Sequence, residues 1–565
     1  MFLKNKKKYW ITTLITASGF LFYNFKSNDR FFEIAKNIEM FCAVFKEVNT
    51  NYVDEVDPNK MMKKGIDAML KDLDPYTVYY SEDQIEDARF MQTGKYAGIG
   101  ATVKNIGEYI AIEEPYENSP AEKAGLQAGD IIIEIDGKSV KNRSVNDVST
   151  FLRGQAGSSV KLLVKLQSTG STIEKVIVRE EIKLKSVPYS GMVSDNVGYI
   201  HLTSFTQNCS KEVKDALMEL KKNPKFQYLV LDLRDNGGGL LNEAVEIVNT
   251  FVDKGQEVVY TKGRLSDDNH SYKAQSTPLD TKIPIVVLVN SMSASASEIV
   301  SGCIQDLDRG VIIGERSYGK GLVQNTKPIA YNTQVKITTA KYYIPSGRCI
   351  QAKDYSHRRE DGSVESVPDS LIKPFKTKNG RTVYDGGGIL PDIYLDPLEM
   401  TPILKVIAEK DYIFQFAGAY IQKHPTTTSK ASTFQLTDAD YQEFIEFMNT
   451  KNSEYETESE EVLDALKETS QREHYYAAIE QEFLNLKKKL DMDKKGDLQK
   501  AKSLLIPVLT TELAGRYFGA KGRTENAFLH DIELKKAIET LNNASLYQDV
   551  LTGKYVEKAK KKNKK

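Results

Sequence analysis

The sequence predicts an α/β protein whose core is a sheet of mainly parallel strands covered by helices on both faces. Between residues 197 and 392, apolar runs such as YLVLDL and IPIVVLVN are each followed by a segment with helical spacing. This alternation is typical of strand–helix crossovers and a buried parallel sheet. Between residues 96 and 179, short β-branched runs separated by glycine turns predict a small β-rich module. Apolar spacings of three and four predict helices on either side of these two parts.

The residue patterns divide the 565 residues into five predicted segments. They are 1–30, a signal peptide or N-terminal membrane anchor; 31–95, a helical region; 96–180, the β-rich module; 181–395, the α/β core; and 396–565, a helical C-terminal extension. The last segment is rich in Lys, Glu, Tyr and Gln and shows no recognisable chemistry.

Composition excludes several classes of protein. With 40% hydrophobic and 27% charged residues, the chain suits a globular protein and neither a disordered nor a multi-span membrane protein. Lys and Arg number 77 against 78 Asp and Glu, so the basic excess of a nucleic-acid binder is missing. The four cysteines form no CxxC and the six histidines no HExxH, so we predict neither a metal site nor a cofactor.

The N-terminal residues have the pattern of an export signal. Four lysines between Lys4 and Lys8 precede an uncharged run from Tyr9 to Phe25. Seventeen helical residues would span roughly 25 Å, close to the hydrocarbon thickness of a bilayer. The basic flank matches the positive-inside rule. A cleaved signal and an uncleaved anchor are both consistent with this pattern, and a buried helix is the non-targeting alternative. We expect an exported protein, located in a bacterial periplasm and either soluble or anchored to the inner membrane.

Three loops of the predicted core suggest chemistry, and the first joins a strand to a helix. Asp235 to Gly239 spells DNGGG. Its glycines allow backbone N–H groups to approach a ligand, and a helix N-terminus adds positive partial charge. The loop therefore suits a phosphate or a developing oxyanion, although a tight turn without a ligand would have the same sequence. No GK[ST] follows it, so a nucleotide P-loop is not predicted.

The second and third loops offer a nucleophile and a base. In NSMSASASE, from Asn290 to Glu298, Ser295 and Glu298 fit a helix capping box, which is a structural role. The functional alternative is a nucleophile on a strand–turn–helix bend. In GERSYGKGLVQ, Lys320 lies between two glycines. It is either an exposed turn residue or a desolvated amine, and a neutral amine can deprotonate a serine in place of histidine.

In this order and spacing, the loops and their surroundings resemble the carboxyl-terminal processing (tail-specific) serine proteases. The resemblance covers about residues 35 to 395. It rests on six blocks: YVDEVDPNKMMKKGIDAMLKDLDPYTVYY, AGLQAGDIIIEIDGKSV, VLDLRDNGGGLL, NSMSASASEIVSGCIQDLDRGVIIGERSYGKGLVQ, KYYIPSGRCIQ and GGGILPDI. The resemblance implies a crotonase- and Clp-protease-like core sheet for residues 181–395, with a PDZ domain inserted before it at 96–180.

The resemblance also implies roles for individual residues of the core. Ser295 becomes the nucleophile because it precedes Lys320 by the family's serine–lysine spacing, which selects it over the neighbouring serines 291, 293 and 297. Lys320 becomes the general base and Gln324 the residue that orients it. Four residues of extended strand would separate Lys320 from Gln324 by about 13 Å, so this role requires a bend. The backbone N–H groups of Gly238 and Ala296 become the oxyanion donors.

The PDZ assignment rests on SPA at Ser119, AGL at Ala124 and GDII at Gly129. Its carboxylate-binding loop matches YAGIG, which makes Tyr96, Gly98, Ile99 and Gly100 the predicted substrate-binding residues. Backbone N–H groups of such a loop receive a chain terminus while the peptide adds as a strand. Proteins and peptides with free C-termini are therefore the expected partners.

Together these features predict a serine endopeptidase that selects exported proteins by their C-terminal tails and cleaves them through a Ser–Lys dyad and an acyl-enzyme. One alternative is a PDZ-bearing inactive scaffold that binds tails without cleavage, and another is a crotonase-like acyl-transfer enzyme, which has no use for a PDZ domain. No nucleic-acid partner is expected. A homo-oligomer is compatible with the long helical extension, and the chain could carry a single N-terminal anchor.

Overall fold

The computed structural model describes residues 30–359, 362–397, 400–451, 455–494 and 496–555. The basic and apolar segment from Lys4 to Phe25, which predicts a signal or an anchor, lies entirely outside these residues. Over the described part of the chain, no helix is both long enough and apolar enough to span a membrane. The chain divides into two compact units, the first made of Met1–Glu82 with Thr326–Ile337 and the second of Asp83–Asn325 with Thr338–Lys565.

The first unit is helical with one short β pairing. Residues 30–51 form helix α1. Helix α2 (Pro58–Lys71) begins after Asp57, whose side chain accepts the N–H groups of Asn59 and Lys60 as a helix N-cap. Strand β1 (Val78–Tyr80) pairs antiparallel with residues 334–336. The predicted site residues all lie in the second unit.

The second unit begins with a β-rich part of eleven elements. They are α3 (Ile85–Thr93), β2 (Lys95–Gly98), β3 (Ala101–Ile106), β4 (Tyr109–Pro115), α4 (Pro120–Lys123), β5 (Ile131–Ile135), β6 (Lys138–Ser139), α5 (Val145–Leu152), β7 (Ser159–Lys165), β8 (Thr172–Val178) and β9 (Glu180–Lys183). Strands β3, β4, β5, β7 and β8 form an antiparallel sheet in that order, with β6 paired to β5, while β2 pairs with β9. Alternate residues of β7, Val160, Leu162 and Val164, are fully buried in its core.

The core of the second unit follows in chain order. Its elements are β10 (Tyr189–Met192), β11 (Val197–His201), α6 (Cys209–Leu220), β12 (Tyr228–Asp232), α7 (Leu241–Asn249), β13 (Glu257–Gly263), β14 (Ser271–Lys273), β15 (Ile285–Val289), α8 (Ala296–Asp306), β16 (Val311–Gly314), β17 (Leu322–Pro328), β18 (Gln334–Tyr343), β19 (Lys353–Arg358), β20 (Val364–Ser366), β21 (Pro374–Lys376), β22 (Thr382–Tyr384) and β23 (Ile393–Tyr394).

The central sheet has six strands in the order β10-β11-β12-β15-β16-β23. Within this sheet, strands β11, β12, β15, β16 and β23 run parallel, and β10 is antiparallel at one edge. All five residues of β15 are buried, as expected of a strand covered on both faces. The predicted α/β class is therefore confirmed.

The C-terminal region is helical. It consists of α9 (Pro402–Glu409), α10 (Tyr412–Lys423), α11 (Asp438–Asn449), α12 (Glu458–Arg472), α13 (Tyr476–Lys494), α14 (Asp497–Lys500), α15 (Lys502–Ala527), α16 (Ile532–Asn542) and α17 (Ala544–Leu551). Helices α9, α10, α11 and α15 share one apolar core of their own, which includes Phe416, Phe444 and Leu509.

The two faces of the central sheet are covered by different parts of the chain. Leu229, Leu231 and Val287 point to the face that packs against α6, α7 and α8. The alternate residues of the same strands point to the other face, where they pack against α16 and α17. Helices α16 and α17 of the C-terminal extension, for which the sequence predicts no role, thus form one of the two layers that bury the sheet.

This packing predicts a large loss of stability when a buried side chain of α16 is shortened. Leu541 on α16 is 1% exposed, so Leu541→Ala should lower the free energy of unfolding by about 2–5 kcal/mol, as buried leucine truncations do. Ile532 on the same helix is 63% exposed, and Ile532→Ala should change stability by less than about 0.5 kcal/mol. Denaturant unfolding of both variants is the measurement, and equal losses would show that α16 does not bury the sheet.

Candidate active site

The three chemically suggestive loops meet at one end of the central sheet. They follow β12, β15 and β16, which are consecutive parallel neighbours, so their carboxyl ends lie side by side. The first two loops lead directly into α7 and α8, as predicted. Ligand sites of open α/β sheets form at this edge.

Ser295 occupies a strained turn between β15 and α8. Its backbone has φ 57° and ψ −111°, a conformation that side-chain-bearing residues rarely adopt. Ser295 is half-buried, whereas the hydroxyls of Ser293 and Ser297 are fully buried and donate to the carbonyls of Leu233 and Asn236, each at 2.8 Å. The two flanking serines therefore hold the loops together. Of these three serines, only Ser295 is partly accessible to solvent.

Glu298, in the first turn of α8, ties the serine loop to the lysine loop. The residue is fully buried. Its Oε2 accepts the backbone N–H of Ser295 and of Lys320, both at 2.8 Å. Its Oε1 accepts the Ser317 hydroxyl at 2.6 Å and the Gly319 N–H at 2.7 Å. Burial raises the pKa of Glu298, and these four hydrogen bonds oppose that shift. Sequence reasoning recognised Glu298 only as a capping residue and missed this second role.

The loop that carries Lys320 is packed too tightly for larger flanking residues. A Cβ at Gly319, whose φ is +86°, would lie 2.4 Å from the Cβ of Ala352. A Cβ at Gly321 would lie 2.8 Å from the backbone nitrogen of Gln351, whose Oε1 accepts the Gly321 N–H at 2.7 Å. Lys320 itself is half-buried. The glycines that suggested an exposed turn are thus required by close contacts within the core.

Gln324 lies on β17, and its side-chain amide donates to the Thr338 hydroxyl at 3.1 Å. Strand β17 begins at Leu322, so Lys320 and Gly321 precede the extended segment. The chain between Lys320 and Gln324 is therefore only partly strand. Orientation of Lys320 by Gln324 stays a prediction.

The DNGGG loop is fixed by Asn236, a residue that sequence reasoning missed. Asn236 is fully buried, and its amide donates to the Leu202 carbonyl at 2.7 Å. Its Oδ1 accepts the Gly238 N–H at 2.9 Å, and its carbonyl accepts the Ala294 N–H at 3.0 Å. The N–H group predicted to bind an oxyanion is therefore directed at Asn236 in this structure.

Gly238 nevertheless lies beside the serine. A Cβ on Gly238 would lie 2.8 Å from the Cβ of Ser295 and 3.0 Å from the backbone nitrogen of Ala296. Ala296 is the first residue of α8, so its N–H belongs to the unpaired first turn of a helix. Both predicted oxyanion donors thus border Ser295, and any side chain at position 238 would displace it.

The predicted carboxylate loop borders a groove of about 300 Å³ in the β-rich part. The groove is lined by residues of α3, β2, β3, β4 and α5 and their flanks, among them Phe90, Tyr96, Ile99, Leu152 and Arg153. Such a groove between a strand and a helix is where a PDZ domain adds a peptide strand.

Gly100, between the lining residues Ile99 and Ala101, has φ +75°, and a Cβ there would lie 2.5 Å from the Cβ of Ser119. The Arg153 guanidinium, which sequence reasoning missed, lies over the rings of Phe90 and Tyr96 at 5.4 and 5.2 Å. Burial raises the pKa of Tyr96. The groove therefore combines an apolar floor with a cation at one end.

Over the described residues, no group of three or more His, Cys, Asp and Glu side chains is placed to hold a metal ion. The core edge instead brings together a half-buried serine, a half-buried lysine and backbone N–H groups. This set of groups is suited to nucleophilic acyl transfer.

Three family models match the chain in the order of its structural parts. Residues 112–166 match the PDZ domain, residues 196–357 match peptidase family S41, and residues 403–541 match the C-terminal helical domain of a probable PDZ-protease. Fold and site together define a serine peptidase of family S41 that carries a PDZ domain.

Individual relatives agree with this class. The carboxy-terminal-processing protease of Bartonella bacilliformis is 37% identical over 319 residues, which span 56% of this chain and 73% of that protein. A probable CtpA-like serine protease of Staphylococcus aureus is 34% identical over 347 residues, 61% of this chain and 68% of that protein. Among solved structures, a photosystem II D1 C-terminal processing protease is 27% identical with a TM-score of 0.35, covering 64% of this chain and 93% of that one. The identity to the first two of these proteins, over at least two thirds of each, shows that the chain belongs to the carboxy-terminal-processing proteases.

This membership confirms the predicted family and the predicted serine peptidase activity. It favours an enzyme over an inactive PDZ scaffold.

Proposed function

We propose that Ser295 is the nucleophile of this protease and that Lys320 is its general base. The observation that carries the proposal is the shared acceptor: one Glu298 oxygen binds the backbone N–H of both residues. Two loops that are separate in sequence are thereby held about two hydrogen-bond lengths apart at their main chains. The strained backbone of Ser295 adds support, because such strain is concentrated at functional positions.

In the proposed reaction, Ser295 Oγ attacks the carbonyl carbon of a substrate peptide bond while Lys320 Nζ accepts the hydroxyl proton. Lys320 returns that proton to the leaving amine, which departs as the new N-terminus. Water then attacks the acyl carbon while Lys320 accepts a water proton. Lys320 returns that proton to Ser295 Oγ as the ester bond breaks, which releases the new C-terminus. The N–H groups of Gly238 and Ala296 stabilise the oxyanion in both steps. For this, the Gly238 N–H must exchange Asn236 Oδ1 for the substrate oxygen.

Gln324 completes the proposed site by orienting Lys320. Its amide can donate and accept at the same time, so the bond to Thr338 fixes the side chain while the amide oxygen remains an acceptor. In this role Gln324 stabilises the position of the Lys320 amine without taking part in proton transfer.

Substrates are selected by their free C-termini at the PDZ groove. In this proposal the terminal carboxylate is bound by backbone N–H groups of Gly98, Ile99 and Gly100, and the last side chains occupy the apolar floor beside Tyr96. The lining of the groove supports this assignment, because an added peptide strand would run between β3 and α5.

We also propose that the substrates are exported proteins of a bacterial periplasm. The support is the sequence of the N-terminal segment, in which clustered lysines precede an uncharged run from Tyr9 to Phe25. Retention of that segment would make the enzyme anchored to the inner membrane, and its removal would make it soluble.

The proposed dyad predicts that Ser295→Ala and Lys320→Ala each lower kcat by at least about 10³-fold, since removal of a nucleophile or its base leaves only binding and oxyanion stabilisation. Ser291→Ala is the matched control, because Ser291 is an exposed serine of the same loop and its loss should leave kcat unchanged. Cleavage of a peptide with a free C-terminus is the assay. Full activity of Ser295→Ala would show that a different serine is the nucleophile.

The proposed tail selection predicts that amidation of a substrate's C-terminus lowers kcat/KM at least about tenfold, because each charge-assisted hydrogen bond contributes about 1.5–3 kcal/mol. The difference between the two peptides should disappear in Gly100→Ala, where the new methyl group would meet Ser119 and distort the loop.

Gly107→Ala is the matched control for this experiment. Gly107 has a similar φ of +60°, but a Cβ built on it would have no neighbouring atom within 4 Å. Its substitution therefore strains the backbone without making a new contact near the groove. The control should keep the preference for the free terminus. Equal kcat/KM for both peptides on the unmodified enzyme would mean that the groove does not bind the terminal carboxylate.

A further inference from the structure

Arg234 connects the DNGGG loop to a cluster of carboxylates in the second unit. It lies two residues after Asp232, the last residue of β12, and precedes Asp235, the first residue of the loop. Its guanidinium Nε donates to Asp232 Oδ1 at 3.0 Å, and its backbone N–H donates to the same oxygen at 2.9 Å. Asp232 is 2% exposed and also accepts the Tyr199 hydroxyl at 2.6 Å. One end of Arg234 is therefore fixed locally.

The other end of Arg234 is held by the C-terminal extension. One terminal nitrogen donates to Asp531 Oδ2 at 2.7 Å, and the other donates to Glu533. These contacts join positions almost three hundred residues apart in sequence. The side chains are 17%, 14% and 18% exposed, so water screens the charges only weakly. An arginine uses its rigid fork of donors fully in such an arrangement, and a lysine could not replace it.

A short chain of contacts leads from Arg234 to the serine. The neighbouring Asp235 has φ 59°, donates its N–H to Asn290 Oδ1 at 3.0 Å and accepts the Asn290 amide at 2.8 Å. The next residue, Asn236, holds Gly238 and accepts from the serine loop, as described above. Movement of Arg234 would therefore be transmitted to both predicted oxyanion donors.

We propose that Asp531 and Glu533 are positioning residues for the oxyanion-binding loop and act on it through Arg234. The inference rests on the proposed roles of Ser295, Gly238 and Ala296. The C-terminal extension then has a role in catalysis in addition to burying the sheet. When α16 packs on the sheet, the carboxylates of Asp531 and Glu533 fix the position of the loop that carries Gly238.

The charges can be removed with little change of shape. Asp531 is also the N-cap of α16, where its side chain accepts the Leu534 N–H. Asn is as good a cap as Asp, so Asp531→Asn keeps the cap through Oδ1. It removes the charge and replaces Oδ2, which accepts from Arg234, with an NH₂ donor. Glu533→Gln likewise keeps the length of the side chain. Both variants are tested in the full chain, separately and together.

Tyr547→Phe provides the matched control. The Tyr547 hydroxyl accepts the Ile285 N–H at 3.0 Å and donates to the Ile285 carbonyl at 3.1 Å. This is also a buried polar contact between the extension and the central sheet, but Ile285 begins β15, at the end of the sheet opposite to the loops. The control therefore weakens the seating of the extension without touching Arg234.

The experiment measures kcat and KM for one peptide with a free C-terminus. The concentration of folded enzyme is taken from the amount of serine that a fluorophosphonate labels, so unfolded protein is excluded from kcat. The double variant Asp531→Asn with Glu533→Gln should lose at least about tenfold in kcat, since loss of one oxyanion donor costs about 10²–10³-fold and displacement costs less. KM should change less than twofold. Tyr547→Phe should keep kcat within about twofold of the unmodified enzyme. This should hold even if its unfolding midpoint falls as far as that of the double variant.

Two results would overturn the inference: kcat of the double variant within twofold of the unmodified enzyme, or parallel losses of kcat in the double variant and in Tyr547→Phe. If the double variant does not fold, Asp531→Asn alone and Arg234→Lys are compared with Tyr547→Phe on the same criteria. Failure of the proposed function is distinguished by Ser295→Ala, because full activity in that variant would discredit the serine assignment whatever the carboxylate variants do.

Discussion

The site depends on the buried carboxylate of Glu298. A carboxylate without hydrogen-bond partners is costly to bury, and this one is stabilised by four donors that come from the serine turn and from the lysine loop. The interaction offsets the strain at Ser295, because the N–H of the strained residue is itself one of the donors. It also joins the two loops: movement of the lysine loop would leave Oε1 without a donor, and movement of the serine turn would remove one of the two donors to Oε2.

The second constraint is the need of a parallel sheet for cover on both faces. Helices α6 to α8 cover one face and arise from the strand–helix crossovers themselves. The other face is covered by α16 and α17, which follow the sheet by well over a hundred residues. The extension also contacts the β-rich part, because Arg516 donates to the carbonyl of Ala128. Within the extension, the same guanidinium lies 4.0 Å from the centre of the Phe414 ring. The same segment therefore touches both the PDZ side and the catalytic side of the second unit.

Much of this could be predicted from the sequence. The buried runs of β12 and β15 and the glycine turns were sufficient for the fold class, and helix spacing was sufficient for the helical extension. The family was predicted from the resemblance of six sequence blocks to the carboxyl-terminal processing proteases. The roles of Asn236, Glu298 and Arg153 were not predictable, because each depends on partners distant in sequence. A single Glu three residues after a serine has the same local pattern whether it caps a helix or joins two loops. The packing of α16 on the second face of the sheet was not predictable for a related reason. An amphipathic sequence pattern indicates that a helix packs on a surface, but it does not identify that surface.

The most direct test of this account is the activity of Glu298→Gln. Glutamine keeps the shape, but its NH₂ group would face two N–H or O–H donors that the carboxylate accepts. We expect kcat per labelled serine to fall at least about tenfold with KM nearly unchanged, because a 1 Å displacement of catalytic groups can cost 10²-fold. Glu243→Gln is the control, since Glu243 accepts the N–H groups of Asn208 and Ser210 at 2.8 and 2.9 Å away from the serine and lysine loops. Unchanged kcat in Glu298→Gln, or an equal loss in Glu243→Gln, would contradict the account.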